Sequence, residues 1–99
     1  MTQKDIENLY KEFQVPKHII RHMEAVAEFA GKIANALIVK GIKINKKDLI
    51  HAAKIHDTLR VWQHLKTKYG KIGHEKALAK ILKSRGEKAI ANLVSKHGF

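Results

Sequence analysis

The chain has 99 residues, enough for one domain whose core buries about two-thirds of the surface that the unfolded chain exposes. It has no cysteine, which excludes a disulfide framework, a thiolate zinc site and a cysteine nucleophile. Twenty Lys and Arg against nine Asp and Glu give a net charge of +11, which favours phosphate-bearing partners such as nucleotides or nucleic acid. The polar N-terminus and the lack of an apolar run of about 20 residues predict a cytoplasmic protein without a membrane partner.

Strong helix formers occupy almost the whole chain and predict an all-α fold, a compact bundle of five or six helices. The first predicted helix spans residues 2–13, with Thr2 as N-cap and Asp5 three residues later. A long second helix begins at Pro16 and is closed by Gly41. Its apolar residues follow the helical period and are Ile19, Met23, Val26, Ala27, Ala30, Ile33, Ala34 and Leu37.

The third predicted helix follows Asn45, its N-cap, and is apolar on most sides, which indicates that it is buried. It leads directly into His56 and Asp57. Desolvation makes two ionisable side chains at the end of a buried helix costly unless a partner such as a metal ion compensates them. Further helices are predicted over residues 59–69, 74–85 and 87–96.

Seven histidines are many for a chain of this length, but a His-Asp dipeptide by itself arises too easily by chance to identify a site. The context of His56 and Asp57 is more specific, because His22 lies on the preceding long helix, and His74 and His97 lie on later helices. Imidazole nitrogens with a carboxylate suit a divalent transition metal, namely Mn, Fe, Co, Ni or Zn. The alternative is a buried, hydrogen-bonded polar cluster, with His74 and His97 as surface or helix-end histidines.

With these residues the chain resembles the HD superfamily of metal-dependent phosphohydrolases over almost its whole length. The matching stretches are VPKHIIRHMEAVAEFAGKIANAL, KKDLIHAAKIHDTLRV, GHEKALAKILKSRG and AIANLVSKHGF. The resemblance implies an HD-type helical domain with metal ligands at His22, His56, Asp57, His74 and His97. It also implies that Asp57 is catalytic, either as a ligand or by orienting the attacking water, and that a metal-activated water hydrolyses a phosphate ester such as a nucleotide.

Two basic residues flank this pair. Lys54 and Arg60 each lie three residues from Asp57, and either can reach a substrate phosphate through a charge-assisted contact. A plain surface role fits both residues equally well.

The chain departs from the family pattern in two respects. HD enzymes supply a further aspartate on a later helix, whereas this sequence has no Asp after Asp57. We therefore expect either a small stand-alone member or one that lacks the family's last helix, with weak metal binding unless His74 or His97 substitutes. The pair is also followed by TLRV instead of the glycine-containing turn of the family.

Two other functions remain open from the sequence. A degenerate HD domain would bind a nucleotide or nucleic acid without catalysis, which the charge of +11 and the missing aspartate favour. A small helical interaction protein would bind no metal. The last helix is expected to depend on the fifth helix or on a second subunit to bury Ile90, Leu93 and Val94, so an oligomer is also possible.

Overall fold

The structure is a computed structural model that describes residues 1–96. Six helices and no strand occur within this range. They are α1 (Gln3–Glu12), α2 (Lys17–Val39), α3 (Lys46–Ile55), α4 (Leu65–Tyr69), α5 (His74–Ser84) and α6 (Lys88–Lys96). The prediction of an all-α bundle with five or six helices is confirmed. No helix in residues 1–96 combines the length and the apolar character needed to cross a membrane.

The helix starts follow from local side-chain chemistry. Thr2 and Asp5 form a reciprocal capping box at α1, in which each side chain accepts a hydrogen bond from the other residue's backbone N–H. The hydrogen bond from the Thr2 backbone N–H to the Asp5 carboxylate lowers the pKa of Asp5. The Asn45 side chain caps α3 by accepting from the backbone N–H of Asp48. Pro16 was predicted as the first residue of α2, but its extended ψ of 150° makes it the N-cap instead.

Three helices end in Schellman turns, in which the two residues after the cap donate back to the last turn. Gly41 closes α2 and Gly86 closes α5, each with a φ of 85°, in the region that a side chain disfavours. Gln14 occupies the same position after α1, with a φ of 51°. A glutamine there is strained, because its Cβ crowds the backbone in the left-handed conformation.

Helix α3 lies at the centre of the molecule, in contact with α1, α2 and α6. This position explains why its sequence is apolar on most sides, and Ala52, Ala53 and Ile55 are fully buried. Small residues at the crossing of α2 and α3, among them Ala27 and Ala30, allow the two helices to approach closely. The core therefore holds the end of α3 from several sides.

Helix α6 packs against α5 and α3 of the same chain. Ile90 and Val94 are buried by these contacts, and Leu93 is partly buried. The predicted dependence of the last helix on the fifth is thus met within one chain, with α3 as an additional partner.

Two predictions about α2 and α4 were wrong in detail. Ile33 belongs to the periodic apolar series of α2, yet its side chain is 44% exposed. The reason is its position around the helix: the face of α2 that meets α3 carries Ala30 and Ala34, which are buried, and Ile33 lies at the edge of that face. Helix α4 begins at Leu65 and not at residue 59, because residues 55–65 form successive turns with i to i+3 hydrogen bonds.

Candidate metal centre

The candidate site begins where α3 ends, and side chains satisfy the last carbonyls of that helix. Nδ1 of His56 lies 2.6 Å from the Ala53 carbonyl, and the Thr58 hydroxyl donates to the Ile55 carbonyl at 2.6 Å. Tyr10 of α1 donates its hydroxyl to the Lys54 carbonyl between them. These contacts complete the hydrogen bonding of the helix end, so the backbone can turn and direct the next residues inward.

His56 and Asp57 are both buried. The backbone N–H of Asp57 donates to the Met23 thioether at 3.3 Å, which ties the residue to the buried face of α2. His22, the preceding residue of α2, lies with its Nε2 3.2 Å from Asp57 Oδ2. Nε2 of His56 lies 3.3 Å from the same oxygen. The structure therefore joins residues that lie more than 30 positions apart in the sequence.

Each of His22, His56 and Asp57 offers a ligand atom within 4.8 Å of the other two, a spacing at which one ion can contact all three. The two imidazole rings are 5.7 Å apart between centroids and tilted by 58°. Two nitrogens and one carboxylate oxygen are the ligand types that first-row transition metals accept. The site thus has three of the four to six ligands that such ions take, and the rest would come from water, substrate or a further side chain.

The hydrogen bond between His56 Nδ1 and the Ala53 carbonyl determines which tautomer of His56 faces Asp57. A carbonyl oxygen can only accept, so Nδ1 carries the proton and donates to it. In neutral imidazole Nε2 then presents a lone pair toward Asp57 Oδ2, and two acceptors repel each other at 3.3 Å. A cation on this nitrogen, either a proton or a metal ion, is needed to make the contact favourable. The same backbone contact is the usual way to orient a metal-binding histidine.

His74, the first residue of α5, approaches the other oxygen of Asp57. Its Nδ1 lies 3.9 Å from Oδ1, and its Nε2 lies 3.4 Å from a Glu75 carboxylate oxygen. Nδ1 is buried and has no hydrogen-bond partner within residues 1–96. A buried imidazole nitrogen without a partner is costly, and an ion or water on the Oδ1 side would remove that cost.

The two predicted phosphate-binding residues lie in different surroundings. Arg60 Nη1 is 3.5 Å from Asp57 Oδ2, and the Arg60 side chain is half exposed. Lys54 instead donates to the Gln3 side chain of α1 at 3.0 Å. Arg60 therefore lies at the metal candidate site, whereas Lys54 is engaged with the helix that covers α3.

Residues 19–99 match the sequence profile of the HD domain, about four-fifths of the chain. The chain belongs to the HD-domain family. Searches of curated proteins and of solved structures gave no significant match. Helix α1 precedes the region that matches the HD profile. The contacts that Tyr10 and Gln3 make with Lys54 therefore come from a helix outside the matched region.

Three of the remaining histidines, His18, His51 and His64, do not join this HD-domain site. His97 lies outside the described residues, so its predicted role as a ligand stays a prediction. His18 is exposed at the start of α2, and His64 contacts the neighbouring Gln63 and Trp62. His51 lies on α3 away from the pair, and burial and nearby positive charges lower its pKa.

Sequence reasoning missed two supporting residues of the site. Met23 and Tyr10 were assigned to apolar helix stripes, and both are indeed packed against the core. Their polar atoms also contact the backbone on either side of His56. Helical periodicity identifies the buried face but does not indicate which backbone group a thioether or phenol will meet.

Proposed function

We propose that this HD domain is a metal-dependent phosphohydrolase that hydrolyses a phosphate ester, such as a nucleotide. The observation that carries the proposal is the convergence of His22, His56 and Asp57, with the His56 tautomer fixed by the Ala53 carbonyl. The family supports the same chemistry.

His22, His56 and Asp57 would hold a divalent transition metal, and His74 would extend the site on the Oδ1 side. When bound, such an ion lowers the pKa of water and polarises a phosphoryl oxygen. Asp57 has one oxygen toward the two histidines and the other toward His74, so it can contact an ion and orient a water at once. Arg60, half exposed beside it, can bind the substrate phosphate.

Metal binding is tested first by thermal unfolding, with the affinity tag removed, in the presence of Mn²⁺, Co²⁺, Ni²⁺ or Zn²⁺. An ion at 100 times its Kd stabilises the folded state by about 2.7 kcal/mol. For a domain of this size that raises Tm by roughly 10–20 °C. The His56→Ala and Asp57→Asn variants should lose the shift, whereas His18→Ala, an exposed histidine on the same helix as His22, should retain it. Equal shifts in all four proteins would place the metal elsewhere.

Hydrolysis is then measured with p-nitrophenyl phosphate and a panel of nucleoside mono-, di- and triphosphates. We expect turnover that requires the metal, stops with a chelator and is lost in Asp57→Asn. Metal binding without turnover of any of these esters would retain the site and reject the catalytic function.

A second candidate function is binding of nucleotide or nucleic acid without catalysis. The net charge of +11 favours it, as does a metal candidate site with a single carboxylate. In this case binding should weaken steeply as salt rises and should not respond to a chelator. Binding that requires the metal and changes little with salt would contradict this alternative.

A further inference from the structure

Arg60 lies beside the carboxylate oxygen that faces both histidines of the candidate metal site. Its Nη1 lies 3.5 Å from Asp57 Oδ2, the same oxygen that His22 and His56 face. The backbone of Arg60 is held to Asp57 by an N–H to carbonyl hydrogen bond of 3.0 Å, while its side chain is 54% exposed. The guanidinium can therefore leave the carboxylate by side-chain rotation, with the turn unchanged.

We propose that Arg60 is an electrostatic latch on the metal site, closed on Asp57 Oδ2 without metal and released when a divalent ion binds. This inference rests on the proposed metal site. Two observations support it: one carboxylate oxygen serves both cations, and the ion and the guanidinium, both positive, repel each other at such a distance. Release leaves the guanidinium near the ion and able to bind a phosphate oxygen of the substrate.

The strength of the latch follows from its exposure. A half-exposed ion pair changes an equilibrium by at most about fivefold, because water and salt screen it. Such a weak ion pair does not prevent the metal from binding. It lowers the apparent affinity for the metal, because the guanidinium has to leave Asp57 when the ion binds. Removing the guanidinium should tighten metal binding about two- to fivefold, although it weakens substrate binding.

Chemical modification of arginine tests the latch. Phenylglyoxal reacts with exposed guanidinium groups, and peptide mass spectrometry separates the three arginines of the chain, Arg21, Arg60 and Arg85. Arg85 makes a two-point ion pair with Glu12 far from the site, so its rate is an internal standard. Without metal, Arg60 should react more slowly in the parent than in Asp57→Asn. Addition of Mn²⁺ should accelerate Arg60 in the parent and leave Arg85 unchanged.

Isothermal titration calorimetry with Mn²⁺ supplies a second measurement. It does not require the Asp57→Asn variant and therefore holds even if that variant fails to fold. Arg60→Gln should bind the ion more tightly than the parent, and the difference should shrink at high salt. Arg21→Gln, the same charge change at an exposed residue beside His22, is the matched control and should bind as the parent does. An Arg60→Gln affinity equal to or weaker than the parent's overturns the latch, as does an Arg60 modification rate that Mn²⁺ leaves unchanged.

The two proposals fail in different ways. If the parent binds no metal, the proposed function fails and the latch, which opens only for a metal, fails with it. If the parent binds metal through His56 while Arg60 reacts equally in the parent and in Asp57→Asn, the metal site stands and the latch alone is wrong.

Discussion

Tyr10→Phe tests whether α1 supports the candidate site from outside the region that matches the HD profile. The Tyr10 hydroxyl donates to the Lys54 carbonyl at 2.5 Å, two residues before His56. Phenylalanine keeps the ring in the core and leaves this carbonyl without its donor. An unsatisfied, partly buried acceptor costs about 1–2 kcal/mol, which corresponds to a fall in Tm of roughly 4–16 °C.

The pH dependence gives this prediction a sharper signature. Burial, with the nearby Glu24 charge, raises the pKa of Tyr10 from 10.0 to about 12. Between these values the unfolded chain has lost the phenol proton and the folded chain retains it, so stability falls as pH rises. Such a shift corresponds to about 2.7 kcal/mol at full burial, and partial exposure reduces it to about 1 kcal/mol. The stability advantage of the parent over Tyr10→Phe should be complete below pH 10.0 and shrink toward pH 12.

The assay is urea unfolding of both proteins by circular dichroism at pH 7, 9, 10.5 and 11.5. Every other ionisable group is common to the two proteins, so the difference between their stabilities isolates Tyr10. Tyr69→Phe is the matched control at pH 7, because it removes the hydroxyl of a tyrosine that is likewise partly buried but lies beside Trp62. A difference between parent and Tyr10→Phe below about 0.5 kcal/mol at pH 7, or one that does not change with pH, would refute this account of the hydroxyl.

Two further substitutions test the packing and the turns around the site. Leu59→Ala, at a fully buried residue of the turn after Asp57, should cost about 2–5 kcal/mol in urea unfolding, and a loss below about 1 kcal/mol would mean that the turn can close the cavity. Gln14→Gly should stabilise the protein by about 0.5–1 kcal/mol, because it relieves the positive φ after α1. A lower Tm for Gln14→Gly would show that the glutamine side chain contributes more than its backbone strain costs.

The local features of this protein could be read from its sequence. The Thr2 and Asn45 caps, the terminating glycines of α2 and α5 and the buried character of α3 depend on interactions within about four residues or on helical periodicity. The same kind of information placed the His56 and Asp57 pair at the end of a buried helix. These features were enough to predict where the helices begin and end and to identify most of the residues that meet at the candidate site.

Only the tertiary structure decided how these residues meet. The crossing of α2 and α3 brings His22 to Asp57, 35 positions later, and places Met23 against the Asp57 backbone. It also leaves Ile33 exposed, because the face of α2 that meets α3 is the one that carries Ala30 and Ala34. Periodicity specifies the face of a helix, whereas the axial position of one helix along another depends on the packing of both surfaces. The same packing decides that the two histidines and Arg60 all face one oxygen of the Asp57 carboxylate, Oδ2.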